Sequence, residues 1–374
     1  MSDWREWARG KLAAVRRANR WRSTSVFDGA GVVGMVDGCP VVSFASNDYL
    51  GLSAHPQVRA AAIDAIEKWG TGSTASRLVT GTRPVHHELE AALADWQGSA
   101  RAVLFPTGYA ANLGVLQVFA GPDATIFCDE LNHASLIDGC RASRGETVMF
   151  RHNDLQNLEA LLAASVSKKI VVTEAVFSMD GDSPDLRGLA ELCIQYRALL
   201  ILDEAHAVLG PELPDDLVEL ECLRVGTLSK TFAALGGWVA GASEFIDLLV
   251  NRARTYIFTT APTPADMAAA LAALKIFTSE EGERLRTQLR RNVQRINPEH
   301  TAPIIPIILG DEEAALAASR GLMEAGLYVP AIRPPTVPLG TARLRVALSA
   351  LHTDEMIDKL RTSLARVTPE FVHA

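Results

Sequence analysis

The residues with the clearest chemical potential are Gly226-Thr227-Leu228-Ser229-Lys230-Thr231, which follow an apolar run ending Ile201-Leu202-Asp203-Glu204-Ala205-His206. One strand-like run delivers a carboxylate and an imidazole. The next ends on a lysine between small hydroxyl residues. This order suits pyridoxal-phosphate chemistry: the Lys230 amine would hold the cofactor as a Schiff base, and Asp203 would keep the pyridine nitrogen protonated. Hydroxyls and Gly-rich turns would bind the phosphate. Asp203-Glu204-Ala205-His206 also spells the DEAH of a helicase, but that chemistry needs a G-x-x-x-x-G-K-[ST] phosphate loop upstream, and the sequence has none. A lysine taken alone is usually a solvated surface charge. Only its company singles out Lys230.

Other motifs are weaker. Gly70-Thr71-Gly72-Ser73-Thr74-Ala75 matches the dinucleotide pattern G-x-G-x-x-A, yet it follows a helix-like segment, Val58 to Trp69, where that motif requires a strand. His86-His87-Glu88 suggests metal at first sight. Adjacent histidines project in different directions, no third ligand spacing accompanies them, and they read as an exposed turn at a helix start after Pro84, so no metal is expected.

These residues need elements to position them. From about residue 100 to 242, short β-rich runs alternate with helical or loop segments: Ala102-Phe105, Thr125-Cys128, Thr147-Phe150, Ile170-Glu174, Leu199-Asp203, Arg224-Thr227 and Trp238-Ala240. Many are continuously apolar, as strands covered on both faces are, so the expected class is α/β with a largely parallel central sheet. Ligands bind such sheets beyond the carboxyl ends of the strands. Thr107-Gly108-Tyr109, Ser178, Asp203 with His206, and Lys230 all fall there. Beyond Pro262-Pro264 the pattern changes to long helices and then a small α+β arrangement: Ala302-Leu309, a helix near Glu312-Ala325, a Pro-rich turn at Arg333-Pro338, a strand at Arg343-Leu348 and a closing helix. The expected division is an N-terminal helix and small-domain segment over 1–40, a large cofactor-binding domain over 41–260 and a C-terminal α+β domain over 261–374.

Composition sets the outer limits. With 374 residues, 48% hydrophobic and 21% charged, the chain has ample core for a large domain and a smaller one. The net charge of -8 offers no electrostatic reason for nucleic acid or an anionic membrane as partner. Cys39, Cys128, Cys140, Cys193 and Cys222 form no C-x-x-C pair, which fits a reducing, cytoplasmic setting. Trp4 to Arg22 reads as an amphipathic helix, with Asp3 and Glu6 arguing against a transit peptide, and no run of about 18 apolar residues occurs.

Taken together the motifs make the chain resemble the α-oxoamine synthase family of pyridoxal-phosphate fold-type I enzymes, from Asn47 to Arg345. The resemblance rests on Ser46-Asn47-Asp48-Tyr49-Leu50-Gly51, Thr107-Gly108-Tyr109-Ala110-Ala111-Asn112, Asn132-His133-Ala134-Ser135, Thr173 through Phe177-Ser178-Met179-Asp180-Gly181-Asp182, Asp203-Glu204-Ala205-His206, Thr227-Leu228-Ser229-Lys230, and Ala331 through Pro338 with Thr341-Ala342-Arg343-Leu344-Arg345. Singly each is weak; in this order they are specific. The resemblance implies an aspartate aminotransferase-like fold and a homodimer with shared active sites. Lys230 would form the Schiff base and later move the Cα proton, with Asp203 on the pyridine nitrogen. His206 and Ser178 would meet the ring hydroxyl, and His133 would stack on the ring and could assist at the thioester carbonyl oxygen. Gly108, Tyr109 and Thr227 would hold the phosphate, with Thr259 or Thr260 reaching the neighbour's.

On the substrate side the resemblance implies Arg345 at the amino-acid carboxylate, helped by Asn47, since a guanidinium matches that planar anion. Arg333 and Thr336 would touch the substrate or orient Arg345. Arg20 would lie near the acyl chain, with Arg22 a rival. The last motif pair points to the branch that condenses L-alanine with a pimeloyl thioester. Rivals are a relative using glycine and acetyl-CoA, and a catalytically idle paralogue serving as a partner subunit. One departure stands out. The family usually carries a Gly-rich stretch and a longer loop after the histidine, whereas Ala207-Val208-Leu209-Gly210-Pro211-Glu212 leads quickly to the next strand, and Thr74-Ala75 replaces paired glycines after Ser73.

Overall fold

The computed structural model describes residues 3–18 and 20–368. It divides into two compact units: one comprises Asn47–Ile304 and Leu348–Leu351, the other the described residues of Met1–Ser46, Ile305–Ala347 and His352–Ala374. The chain first lays down three short strands of the smaller unit: β1 (Phe27–Ala30), β2 (Val33–Val36) and β3 (Cys39–Ser43). It continues through the larger unit with β4 (Arg101–Phe105), β5 (Ala124–Asp129), β6 (Glu146–Phe150), β7 (Lys168–Glu174), β8 (Ala198–Asp203), β9 (Cys222–Thr227) and β10 (Gly237–Gly241). It returns with β11 (Ile304–Gly310), β12 (Leu327–Tyr328), β13 (Ala331–Ile332) and β14 (Ala342–Ala347).

The larger unit is built on one seven-stranded sheet in the order β4-β10-β9-β8-β7-β5-β6. Neighbours from β9 to β6 run parallel, and β10 runs antiparallel to both β4 and β9. The continuous apolar runs have a plain cause. Ile126, Cys128, Ile170, Val172 and Ile201 enter the core on one face, while the alternate residues Phe127, Val171, Leu200 and Leu202 enter a second core on the other. A period of two with both faces covered leaves no polar position until the strand ends. Register then sets the ends side by side: Glu174 pairs with Asp203, and Asp203 with Val225.

Helices Pro264–Phe277 and Glu280–Ile296, assigned from sequence to the C-terminal domain, cluster with the larger unit. The alanines of Pro264–Phe277 let it pack closely on helices Pro56–Trp69 and Pro84–Trp96, burying Met267, Ala270, Ala273 and Leu274. At the start of Pro84–Trp96, His86 departs from the exposed turn expected of it. It is fully buried, accepts the Arg83 amide at Nδ1 (3.0 Å) and donates from Nε2 to the Pro262 carbonyl (3.0 Å). Burial holds its pKa below the ordinary value. A neutral histidine can therefore serve as a buried hydrogen-bonding staple.

In the smaller unit β1-β2-β3-β12 form one sheet and β11-β14-β13 another. The helix Trp4–Arg17 has Asp3 as N-cap, accepting the Arg5 amide, and buries none of its residues. Among the described residues no helix is long and apolar enough to cross a membrane.

Candidate active site

The site of the larger unit assembles where β8 and β9 end. Leu228 donates its amide to the Gly236 carbonyl (2.9 Å), and Ala233, at φ +54°, closes a turn onto the Lys230 carbonyl (3.0 Å). That tight turn presents Lys230, whose Nζ lies 2.7 Å from His206 Nε2. His206 Nδ1 is 2.5 Å from the Tyr49 hydroxyl, which donates to Asn47 Oδ1 at 3.1 Å. The His206 ring thus bridges the Lys230 amine and the Tyr49 hydroxyl. Tyr49 and His206 are both buried, so their polar atoms depend on these bonds.

Asp203 is buried at the end of β8. Its Oδ2 accepts from Asn112 (2.7 Å) and its Oδ1 from the Ala205 amide (2.9 Å). Asn112 also donates to Ser135 Oγ (2.9 Å), which lies 2.7 Å from His133 Nδ1. His133 is exposed, caps the helix Ala134–Ala142, and gives its amide to Glu174 Oε1 at 2.6 Å. Partial loss of water lowers the His133 pKa, the Asp203 carboxylate opposes that shift, and the Lys230 charge adds to it. Glu174 is buried, and desolvation pushes its pKa well above the usual carboxylate value.

Beyond β4, Thr107 caps the helix Gly108–Phe119: its Oγ1 takes the Ala110 amide (3.0 Å) and its carbonyl the Ala111 amide (3.0 Å). The amides of Gly108 and Tyr109 lie in the first turn of this helix, where an anion is favoured. Thr227 closes this cradle. A Cβ on Gly108 would lie 3.1 Å from Thr227 Cβ, and one on Gly237 only 2.4 Å from the Thr107 carbonyl. The residues fit pyridoxal phosphate on structural grounds: among the described residues no arginine or lysine pairs with the buried Asp203 carboxylate, which suits a cationic pyridine ring, and glycines keep the cradle open.

The remaining expected positions are distributed as follows. Ser178 is half-buried in the loop after β7. Thr259 is half-buried and Thr260 exposed; neither makes a side-chain hydrogen bond to the residues above. In the smaller unit, Arg345 is buried on β14 and gives its amide to the Pro330 carbonyl (3.1 Å). Thr336 turns back on the Arg333 carbonyl (3.1 Å) and accepts from Arg22 Nη2 (3.3 Å), whereas Arg20 is ion-paired with Glu312 (3.0 Å). The short loop after His206 borders a cavity of about 780 Å³ in the larger unit, reached also by Thr227, Thr231, Trp238 and Arg286.

Sequence reasoning assigned no role to Tyr49, Asn112, Ser135 or Glu174. Two signals were available: Asn112 is a lone amide inside the apolar helix Gly108–Phe119, and Glu174 is a carboxylate closing an apolar strand. Their partners are far away in sequence, so only the strand register reveals their purpose.

Comparison with known proteins agrees with this geometry. The family model described as aminotransferase class I and II matches residues 40–364. An 8-amino-7-oxononanoate synthase of Anaeromyxobacter dehalogenans is 46% identical, with 98% of this chain and 96% of that protein covered. A Sphingomonas wittichii serine palmitoyltransferase superposes with TM-score 0.92 at 30% identity, and a serine palmitoyltransferase from S. paucimobilis with a bound PLP-myriocin aldimine gives 0.91 at 28%; both alignments cover 100% of each chain. The chain belongs to the class I and II aminotransferase family, and within it to the α-oxoamine synthases.

Proposed function

We propose that this chain is a pyridoxal-phosphate acyltransferase that condenses L-alanine with a pimeloyl thioester, carried by CoA or acyl carrier protein, to give 8-amino-7-oxononanoate for biotin synthesis. Carbon dioxide and the free thiol are released. The observation that carries the reading is the Lys230 amine 2.7 Å from His206, three residues beyond the buried Asp203 carboxylate, which accepts from Asn112 and Ala205. The similarity to synthases of that name supports the substrates.

When bound, pyridoxal phosphate supplies an electron-accepting ring that stabilises negative charge at the amino-acid Cα. Asp203 would keep the pyridine nitrogen protonated. His206 and Ser178 would hydrogen-bond the ring hydroxyl, while His133 would stack on the ring and polarise the thioester carbonyl. Gly108 and Tyr109 amides with Thr227 would grip the phosphate, and a second copy of the chain would add its Thr259 or Thr260. Lys230 Nζ would hold the cofactor, take the Cα proton and later return one. Arg345 and Asn47 would bind the alanine carboxylate, supported by Arg333 and Thr336, and Arg20 or Arg22 would lie toward the acyl chain.

The test is to incubate holoprotein with pimeloyl-CoA and L-alanine, glycine or L-serine, and to measure product ketone and carbon dioxide. Turnover confined to alanine supports the reading. Preference for glycine with acetyl-CoA would place the chain in another branch, and absence of thioester-dependent carbon dioxide with every amino acid would reveal an idle paralogue. Lys230→Ala should abolish covalent cofactor retention and turnover together.

A further inference from the structure

Three loops at the carboxyl ends of β5, β6 and β7 converge on one side chain that the reaction scheme does not use. His152, just beyond β6, places Nδ1 2.9 Å from Asp129 Oδ1 and Nε2 2.8 Å from Asp182 Oδ2. Both ring nitrogens face carboxylates, so both donate and the ring is a cation. The two carboxylates sit on different loops. Asp129 closes β5, is fully buried, and holds the turn toward His133 by accepting the Leu131 amide at Oδ1 (2.9 Å) and the Asn132 amide at its carbonyl (3.2 Å). Asp182 closes the turn that contains Ser178: Phe177 donates to the Asp182 carbonyl (3.0 Å) and Gly181 to the Phe177 carbonyl (2.8 Å).

The remaining contacts tighten the same junction. The Phe177 ring meets His152 edge to face, with centroids 4.4 Å apart at 88°. Asn153 adopts φ +55°, which lets its amide reach Asp129 Oδ2 (3.0 Å) while its side chain donates to Asp182 Oδ2 (2.9 Å). Glu130 accepts the His152 backbone amide (3.0 Å), and Glu174 is the next buried carboxyl beyond Asp129.

We propose that His152 is a positioning residue: as a cation shared between Asp129 and Asp182, it sets the separation of the loops that carry His133 and Ser178 and so the width of the slot for the pyridine ring. The proposal rests on the reading of His133 and Ser178 as cofactor contacts. An ion pair kept only for stability would be replaceable by apolar packing at little cost. A clamp between two ligand-bearing loops needs directional bonds at both ends of one rigid ring, and a planar imidazolium provides them.

The test uses holoprotein carrying H152Q, S178A and the double substitution. Glutamine cannot donate to two opposed carboxylates, so H152Q should weaken pyridoxal-phosphate binding about tenfold, the loss of roughly one hydrogen bond. It should also speed amide hydrogen exchange in both 130–135 and 175–182, and add little to the loss already present in S178A. If H152Q folds poorly, D182N removes one end of the clamp and should speed exchange in 175–182 with the same affinity loss. A lowered Tm with unchanged affinity and unchanged exchange in 175–182 overturns the clamp. Unaltered affinity in S178A alone overturns the reading of Ser178, and with it the purpose assigned to His152. The two failures are distinct measurements.

Discussion

Replacing Gly237 by alanine should cripple cofactor binding without unfolding the protein. The added Cβ would stand 2.4 Å from both the carbon and oxygen of the Thr107 carbonyl and 2.6 Å from the Gly108 nitrogen, against an ordinary contact of 3.4 Å or more. Something must move by about 1 Å. Strand β10 cannot yield easily, since Gly237 is paired with Phe105 on one side and Thr227 on the other. The Thr107-Gly108 turn, which has no strand on its far side, therefore shifts, taking the Gly108 and Tyr109 amides with it. Stretching a charge-assisted hydrogen bond by about 1 Å removes it, and each such bond is worth about 1.5–3 kcal/mol, or about 10- to 150-fold in Kd. The assay is titration of apoprotein with pyridoxal phosphate, with Tm recorded alongside. Gly241→Ala is the control: it lies at the other end of β10, where a Cβ meets only the flexible tip of Leu223 at 3.0 Å and the Cys222 carbonyl at 3.1 Å. Wild-type affinity in a folded Gly237→Ala protein, or an equal loss in Gly241→Ala, would refute the reasoning.

Other consequences are equally direct. Arg77 is buried and makes a two-pronged pair with Glu90 (2.8 and 3.0 Å), so Arg77→Met strands a carboxylate and should cost about 3–5 kcal/mol in urea unfolding. His152, released from water at some cost but held by Asp129 and Asp182, has its pKa raised from 6.5 to about 10. Because the folded value is the higher one, its stabilisation is complete below pH 6.5 and lost as pH climbs through about 10; the stability gap between wild type and H152Q should close over that window, and a gap constant with pH would contradict it. Glu174→Gln, which mimics a protonated acid and still accepts the His133 amide, should retain cofactor affinity within about threefold, whereas Glu174→Ala should lose about 1–3 kcal/mol of stability through the unsatisfied donor. Urea unfolding and cofactor titration of both variants decide the point.

The chemical core was legible from the chain because strand ends announce themselves. An apolar run stopping at Asp203, another stopping at Thr227 before Lys230, and a glycine helix start at Gly108 give the sheet, its direction and the candidate positions for cofactor contacts together. What the sequence hid depends on register and on long-range closure. Tyr49 meets His206 across 157 positions, and Asn112 meets Asp203 across 91, so no local pattern marks either. His86 looked exposed because two adjacent histidines at a helix start suggest solvent; the Pro262 carbonyl that buries it arrives 176 residues later. Helix Pro264–Phe277 was assigned to the wrong side of a boundary for a related reason. Its composition changes at Pro262, but its packing partners, helices Pro56–Trp69 and Pro84–Trp96, precede it by most of the chain.

The register of β7 and β8 also brings two carboxyls of the site together. It sets two buried carboxyls, Glu174 and Asp203, at adjacent strand ends, and two such groups do not both ionise cheaply. Their donors differ. Asp203 receives two N–H groups, one on each oxygen, from Asn112 and Ala205; Glu174 receives one, from His133. Burial raises the Glu174 pKa first, the charge of Asp203 raises it further, and the His133 amide and Lys230 only partly oppose this. Burial and the neighbouring Asp203 carboxylate thus favour the neutral form of Glu174, which orients the His133 turn by accepting its amide.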